Sequence, residues 1–369
     1  MASSPKRCAE AARPADAVAL LAWFDGRRRE VPWRGERDPY AILVAEVMAQ
    51  QTRLETAVPF HRRFIDRFPD LHALAKADED EVLRLWEGLG YYARARNLRR
   101  AARRVVAEYG GRLPETAAEL RRLPGVGPYT AGAVASLAFG QLEPAVDGNA
   151  RRVLARLADL ETPTPSRLAS DARNLLTGAP GRPGAVNQAL MDLGSQVCTP
   201  RRPRCGECPL STRCLARRRG TIARRPAPRR RGRSPERLEA AAVVDREGRL
   251  LVLRRPSVGL LGGLWDFPSV ALGPTTTSET ALSKGLREGF GLDCQVGVQM
   301  RVLRHTFSHF RLRLAVHRAS WLSGEMPTEV VHRWARPAEL SRLAFPIYHR
   351  RLIDRELSSP RDRRDKPGA

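Results

Sequence analysis

Six cysteines occur in 369 residues, and four of them, Cys198, Cys205, Cys208 and Cys214, fall within 17 positions at spacings of x6, x2 and x5. Four thiolates so placed suit either a zinc ion or a [4Fe–4S] cluster, and spacing alone leaves both open. Cys8 and Cys294 stand apart, which argues against a disulfide framework and for a metal site in a reducing compartment. Acid–base chemistry has its own candidate in Glu46, which at helical spacing shares a face with the apolar Ile42 and Leu43. A charge there costs free energy unless it is neutral or paired, for instance with an Arg. Burial raises a carboxylate pKa and keeps a proton available near neutrality. Asp147 stands before Gly148, eighteen residues beyond Tyr129, in a position to cap the next helix. The string LPGVGPYTAG at 123–132 puts Gly125 and Gly127 between a helical segment, 115–122, and an apolar helix, 129–139. Two glycines permit a sharp turn with little bulk against a partner, and the following helix offers free N–H groups to a phosphate. On the glycines alone, an unliganded helix–turn–helix link is the plainer reading.

These residues need a scaffold, and the chain supplies two kinds. From 15 to about 193 apolar residues recur at three and four spacing, as in Ile42, Leu43, Val47 and in Leu71, Leu74, Val82, Leu85, which predicts many helices and no strand. Residues 217–237 are rich in Arg, Pro, Gly and Ser and read as a linker with no core of its own. Beyond it the period changes. Strands are expected at 241–245, 250–254, 311–317 and 330–334, and helices near 278–290 and 346–356, an α+β domain of about 120 residues. The end, 358–369, is polar and expected to be disordered. No apolar run approaches the ~18 residues a membrane span needs, and residues 1–16 hold no apolar signal core, so secretion is not expected. The net charge is +24, nearly all of it from Arg, with four Lys in the chain. A genome-wide Arg bias would give the same figure, but the size of the excess favours a polyanion, with nucleic acid first. Arg also permits forked phosphate contacts that Lys cannot make.

Several strings carry a family resemblance. LPGVGPYTAG resembles the helix-hairpin-helix of DNA glycosylases, and VDGNxxR at 146–152 matches the same superfamily. AEVMAQQT at 45–52 resembles the SEVMLQQT of the MutY family, with Ala49 where leucine is usual. The run 187–194, NQALMDLG, followed by the order of the four cysteines, matches the cluster motif of these enzymes, which selects [4Fe–4S] over zinc. In the C-terminal part GGLWDFP at 262–268 resembles the Nudix fold, yet the stretch REGFGL at 287–292 lacks the adjacent glutamates of a Nudix metal helix.

The resemblance implies a mainly α helix-hairpin-helix glycosylase domain with its cluster loop, residues 15–216. The linker 217–237 and an α+β Nudix-like domain, 238–357, without pyrophosphatase activity would follow. It implies that Glu46 protonates adenine at N7 and that Asp147 steadies the sugar cation. Arg34 and Asn149 would surround the adenine, with Asp192 as an acidic pocket residue. Gln50 and Gln51 would probe the base stack, with Tyr91 as a wedge beside oxidised guanine. Gly125 and Gly127 would meet DNA, and Phe307, Ser308 and His309 would recognise oxidised guanine. Tyr129 stands where the endonuclease III family has its attacking lysine, and no Lys occurs between Lys76 and Lys284. The Schiff-base nucleophile is therefore missing. The expected protein is a monofunctional glycosylase, monomeric, bacterial and cytoplasmic, acting on double-stranded DNA with A opposite 8-oxoguanine or G, and not on a membrane. The competitors are a glycosylase–lyase for oxidised pyrimidines and a nucleotide pyrophosphohydrolase tethered to a DNA-binding module.

Overall fold

The computed structural model describes residues 12–27, 29–228, 234–273 and 275–357. Cys8, part of the expected linker and the tail 358–369 therefore lie outside the described residues. The chain forms two compact units, Met1–Lys76 with Asn97–Arg230, and Ala77–Arg96 with Arg231–Ala369.

The first unit is helical, and no strand occurs among its described residues. In chain order the helices are α1 (Asp16–Arg27), α2 (Pro39–Ala49), α3 (Leu54–Arg67), α4 (Leu71–Lys76), α5 (Glu79–Leu85), α6 (Ala93–Glu108), α7 (Ala117–Leu120), α8 (Pro128–Ala138), α9 (Gly148–Leu157), α10 (Pro165–Thr177), α11 (Pro183–Gln196) and α12 (Leu215–Arg218). Of these, α5 and the first turn of α6 belong to the second unit. Their starts follow from local chemistry. Asp38 accepts hydrogen bonds from the backbone of Tyr40 and Ala41 ahead of α2, with Pro39 in its first turn, and Thr164 caps α10 in the same manner. Each such cap stabilises its helix by about 1 kcal/mol. Residues from Tyr40 to Met48 of α2 are all buried, so Glu46 stands as a lone carboxyl on an otherwise apolar stretch. Leu20 and Phe24 of α1, Leu154 of α9, Leu175 of α10 and Leu190 and Leu193 of α11 form one continuous core.

The second unit holds a seven-stranded sheet. Its strands are β1 (Glu236–Arg246), β2 (Arg249–Arg254), β3 (Trp265–Asp266), β4 (Ser269–Ala271), β5 (Leu292–Thr306), β6 (Arg311–Gly324) and β7 (His332–Ala335). The order is β3-β2-β1-β6-β5, with β4 beside β1 and β7 beside β2. β1 and β6 run parallel; the other pairs are antiparallel. Alternation along β1 is visible in its packing. Ala240, Ala242 and Val244 join Leu282 and Leu286 of α13 (Ser278–Phe290), whereas Ala241 and Val243 join Phe345, Tyr348 and Leu352 around α14 (Ile347–Leu352). Both faces are therefore covered, which is why β1 reads as continuous apolar sequence.

The sequence expectations differ from this at several points. The strand expected at 330–334 begins at His332, and the last helix loosens into wider turns at Ile353–Leu357. The sequence pattern does not predict β5. Its register against β6 shifts between Asp293 and Cys294, between Val296 and Gln299, and between Gln299 and Arg301, and such irregularities erase the two-residue period. The first part of the Arg-rich stretch is folded onto the helical unit. Arg225 pairs with Asp159 at 2.8 Å and with Glu161 at 3.2 Å, and Thr221 is buried against Asp159.

Candidate active site

A cavity of about 830 Å³ opens in the helical unit, lined by Trp33, Arg34, Glu46, Gln50, Gln51, Gly125, Gly127, Tyr129, Asp147, Asn149, Met191 and Asp192, among others. Ten of the residues singled out by sequence, drawn from five stretches of chain, therefore meet in one place. Ala49 lines the same cavity.

Glu46 is 7% exposed. Its Oε2 accepts a hydrogen bond from the Tyr129 hydroxyl at 2.6 Å. Burial pushes the Glu46 carboxyl up from its ordinary range; the Tyr129 bond opposes this, and the nearby Asp147 reinforces it. Tyr129 is half-buried, and loss of solvent with the adjacent Glu46 holds its phenol firmly protonated.

Asp147 caps α9: its Oδ1 accepts from the backbone of Asn149 at 2.9 Å and Ala150 at 2.7 Å, and its Oδ2 from the Asn149 side chain at 2.9 Å. Capping and lining the cavity are thus done by one residue. Burial raises its pKa while these three bonds and Arg152 favour its charged form. Burial thus raises both carboxyls, opposed at Glu46 by the Tyr129 bond and at Asp147 by three donors and Arg152.

Supports behind the cavity come from distant sequence. Asn187 accepts from the backbone of Ala145 at 3.0 Å and donates to Glu143 at 2.9 Å, pinning the chain that leads to Asp147. A Cβ on Gly194 would lie 2.6 Å from the Asn149 Cβ, so only glycine lets α11 approach α9 this closely. Asp192, 1% exposed, is held by Arg29 at 3.1 Å and by Arg34 at 2.7 Å. The Nε of Arg34 is buried with no hydrogen-bond partner among the described residues. Sequence reading does not single out Arg29, whose partner is 163 positions away. Gly125 has φ +78°, and a Cβ there would strike Asn97 at 2.5 Å; a Cβ on Gly127 would meet nothing, leaving that face open beside the N-terminus of α8.

The four cysteines line a separate small pocket with Arg156, Val197, Pro203 and Ile222. Among the described residues no three His, Cys, Asp or Glu side chains are gathered to hold a single metal ion. Burial lifts the Cys208 thiol to about 11 and raises Cys214 as well, so thiolate formation there depends on bound iron. Arg156 points a guanidinium N–H at Cys198 Sγ, 3.3 Å away. Arg152 links the two sites, donating to the Asn149 side chain at 2.9 Å and to the Cys198 carbonyl at 2.7 Å.

The remaining sequence candidates belong to the second unit. Tyr91 lies in the loop between α5 and α6, with φ +50° and 49% exposure. Phe307, Ser308 and His309 form the turn joining β5 to β6, closed by a 2.9 Å bond from Phe307 N to the Phe310 carbonyl. Phe307 stacks on Phe310 at 4.5 Å, while Ser308 and His309 are exposed. The degenerate metal helix is α13, where Glu288 is exposed and faces Lys284 at 3.9 Å.

Three family models match. Residues 44–177 match the HhH-GPD superfamily of base excision DNA repair proteins, 198–214 the iron-sulfur binding domain of endonuclease III, and 239–355 the NUDIX domain. The helical unit and its cysteine loop thus define a DNA N-glycosylase, a hydrolase, with a [4Fe–4S] cluster. Among curated relatives, the human adenine DNA glycosylase is 38% identical, covering 86% of this chain and 69% of its own length. That of Arabidopsis thaliana is 34% identical, covering 81% and 56%. A thermostable thymine-DNA glycosylase of solved structure is 31% identical with a TM-score of 0.52, over 56% of this chain and 96% of that one. The chain belongs to the adenine DNA glycosylase family.

Proposed function

We propose that this chain removes adenine paired with 8-oxoguanine or guanine in double-stranded DNA, without cutting the strand. The observation that carries the reading is the hydrogen bond from half-buried Tyr129 to buried Glu46 at 2.6 Å. With Oε2 engaged by Tyr129, the proton of a neutral Glu46 sits on the other oxygen, free to pass to a base in the cavity. A firmly protonated phenol at position 129 is no amine nucleophile, and the lysines that flank it in sequence are Lys76 and Lys284. Both facts favour simple hydrolysis over strand cutting.

The steps follow from the residues. Adenine is extruded from the stack, at a cost of a few kcal/mol that is smallest for a mispair. Glu46 gives its proton to N7, the glycosidic bond breaks with its electron pair going to the base, and the sugar becomes a cation. The Asp147 carboxylate, fixed by Asn149 and Ala150, steadies that cation until water adds and loses a proton. The unpartnered Nε–H of Arg34 suits an acceptor on the base. Gly125 and Gly127 receive a phosphate, Gln50, Gln51 and Tyr91 open the stack, and Phe307, Ser308 and His309 read the opposite oxidised guanine. The protein works as a monomer in the cytoplasm of a bacterial cell. The cluster holds the loop 198–214 in shape.

A duplex in which the target carries 7-deazaadenine, with C–H in place of N7, tests the chemistry. It should bind as adenine does and resist excision. Excision at the adenine rate would remove Glu46-to-N7 transfer from the mechanism.

A further inference from the structure

Residues 77–96 lie inside the stretch matched to the glycosylase superfamily, 44–177, yet they belong to the same compact unit as the sheet. The attachment is polar and specific. Glu87 and Arg350, 263 positions apart, pair at 2.7 Å with side chains 2% and 7% exposed. Arg350 also donates to the carbonyls of Leu340, at 3.1 Å, and Leu343. Arg84 joins from the other side, reaching Glu87 at 3.3 Å and the Ser341 carbonyl at 2.8 Å. Asp80 forms an ion pair with Arg254 at 2.8 Å and accepts from the Trp265 indole at 3.3 Å. Arg96 donates to the carbonyls of Ser257, at 2.8 Å, and Gly262. These anchors bracket the loop that presents Tyr91. Within it, Trp86 and Arg94 both donate to the Gly90 carbonyl at 3.2 Å, and the Tyr92 hydroxyl accepts from Gly88 N at 3.2 Å. Tyr92 is buried while Tyr91 faces outward.

We propose that Glu87 and Arg350 are positioning residues that make the Tyr91 loop part of the sheet unit, so that reading of the opposite base at residues 307–309 and opening of the stack at Tyr91 are one mechanically joined act. This rests on the stack-opening role given to Tyr91 above. A loop free to move would open matched and mismatched sites alike. A loop fixed to the reader is delivered only where the reader has found its base. The function of the buried pair is then selectivity, beyond its share in holding the unit together.

Removing one partner alone leaves a buried charge and is expected to unfold the unit. The test therefore uses Glu87→Leu/Arg350→Met, which removes both, and Arg254→Ala, which loosens the more exposed Asp80 anchor. Stack opening is read from the fluorescence of 2-aminopurine placed beside 8-oxoguanine, and excision from single-turnover rates with adenine opposite 8-oxoguanine and opposite guanine. Folding is checked by melting. Both variants should remain folded at the assay temperature. The double variant should open the stack about tenfold more slowly and lose most of its preference for 8-oxoguanine, with Arg254→Ala moving the same way by about threefold. A purely structural pair would lower both excision rates by one factor and leave their ratio intact, which overturns the proposal. Tyr91→Ala separates the two ideas. If it leaves the fluorescence unchanged, the role given to Tyr91 fails and the coupling with it. If it abolishes the signal while neither anchor variant changes it, the coupling alone is wrong. Should the double variant unfold, an unchanged ratio in Arg254→Ala still counts against coupling.

Discussion

Glu46 in the helical unit is buried, bonded to Tyr129 at 2.6 Å and influenced by the charge of Asp147. Ser308 in the sheet unit is exposed, in a four-residue turn, 3.3 Å from its neighbour His309. In the first site the polar groups already have partners within the protein, and burial has already raised both carboxyls. The second consists of donors and rings waiting for a surface to meet. A preorganised, water-poor site can change a rate by orders of magnitude, whereas an exposed hydrogen bond exchanged against water contributes about 1 kcal/mol. Catalysis should therefore be lost at one site and merely made less selective at the other.

The largest effect belongs to Glu46. Glu46→Gln keeps the shape and removes the acid, and single-turnover adenine release should fall by at least about 10²-fold, while binding to the mispaired duplex persists. A variant that still turns over normally would erase the distinction between the two sites. In the wild type, release should decline as pH rises through the elevated Glu46 pKa, and the Gln variant should lose that alkaline limb. Asp147→Asn comes next. It should cost about 10²-fold or more in release with little loss of stability, because asparagine caps a helix about as well as aspartate; an unchanged rate would leave Asp147 as a cap alone. Ser308→Ala should leave excision opposite guanine unchanged and narrow the preference for 8-oxoguanine by about fivefold, the worth of one hydrogen bond. An untouched preference would remove the turn from recognition.

The smallest effect is on stability. Because burial raises the Glu46 pKa above its ordinary 4.5, the folded protein is at its best, in this respect, below that value and loses stability as pH rises through the folded pKa. Glu46→Gln should thus melt above the wild type at pH 8, and the gap should close below about pH 4.5. A gap independent of pH would mean that Glu46 is not the buried, reluctant carboxylate described here.

How much of this is legible in the sequence differs between the regions for physical reasons. Glu46 among apolar neighbours, Asp147 ahead of a glycine and the cysteine spacing are local signals, and helix α13 was expected over the residues it occupies. What no local window contains is the Arg29–Asp192 contact, the Arg152 link from Asn149 to Cys198, or the Glu87–Arg350 pair, each made across long separations. These partners are single charged residues in an Arg-rich chain, where any of dozens of guanidiniums could serve. β5 was hidden by its own irregular register. The turn at 307–309 is legible only through resemblance, since exposed Ser and His carry no burial or pairing signal of their own.

The most direct measurement incubates the purified protein with duplexes holding adenine opposite 8-oxoguanine, adenine opposite guanine, thymine glycol opposite adenine, and normal pairs, each with and without alkali. Base should be released from the first two, fastest from the first, with strand breaks appearing only after alkali. Breaks without alkali, or attack on thymine glycol, would contradict adenine-specific hydrolysis without strand cutting.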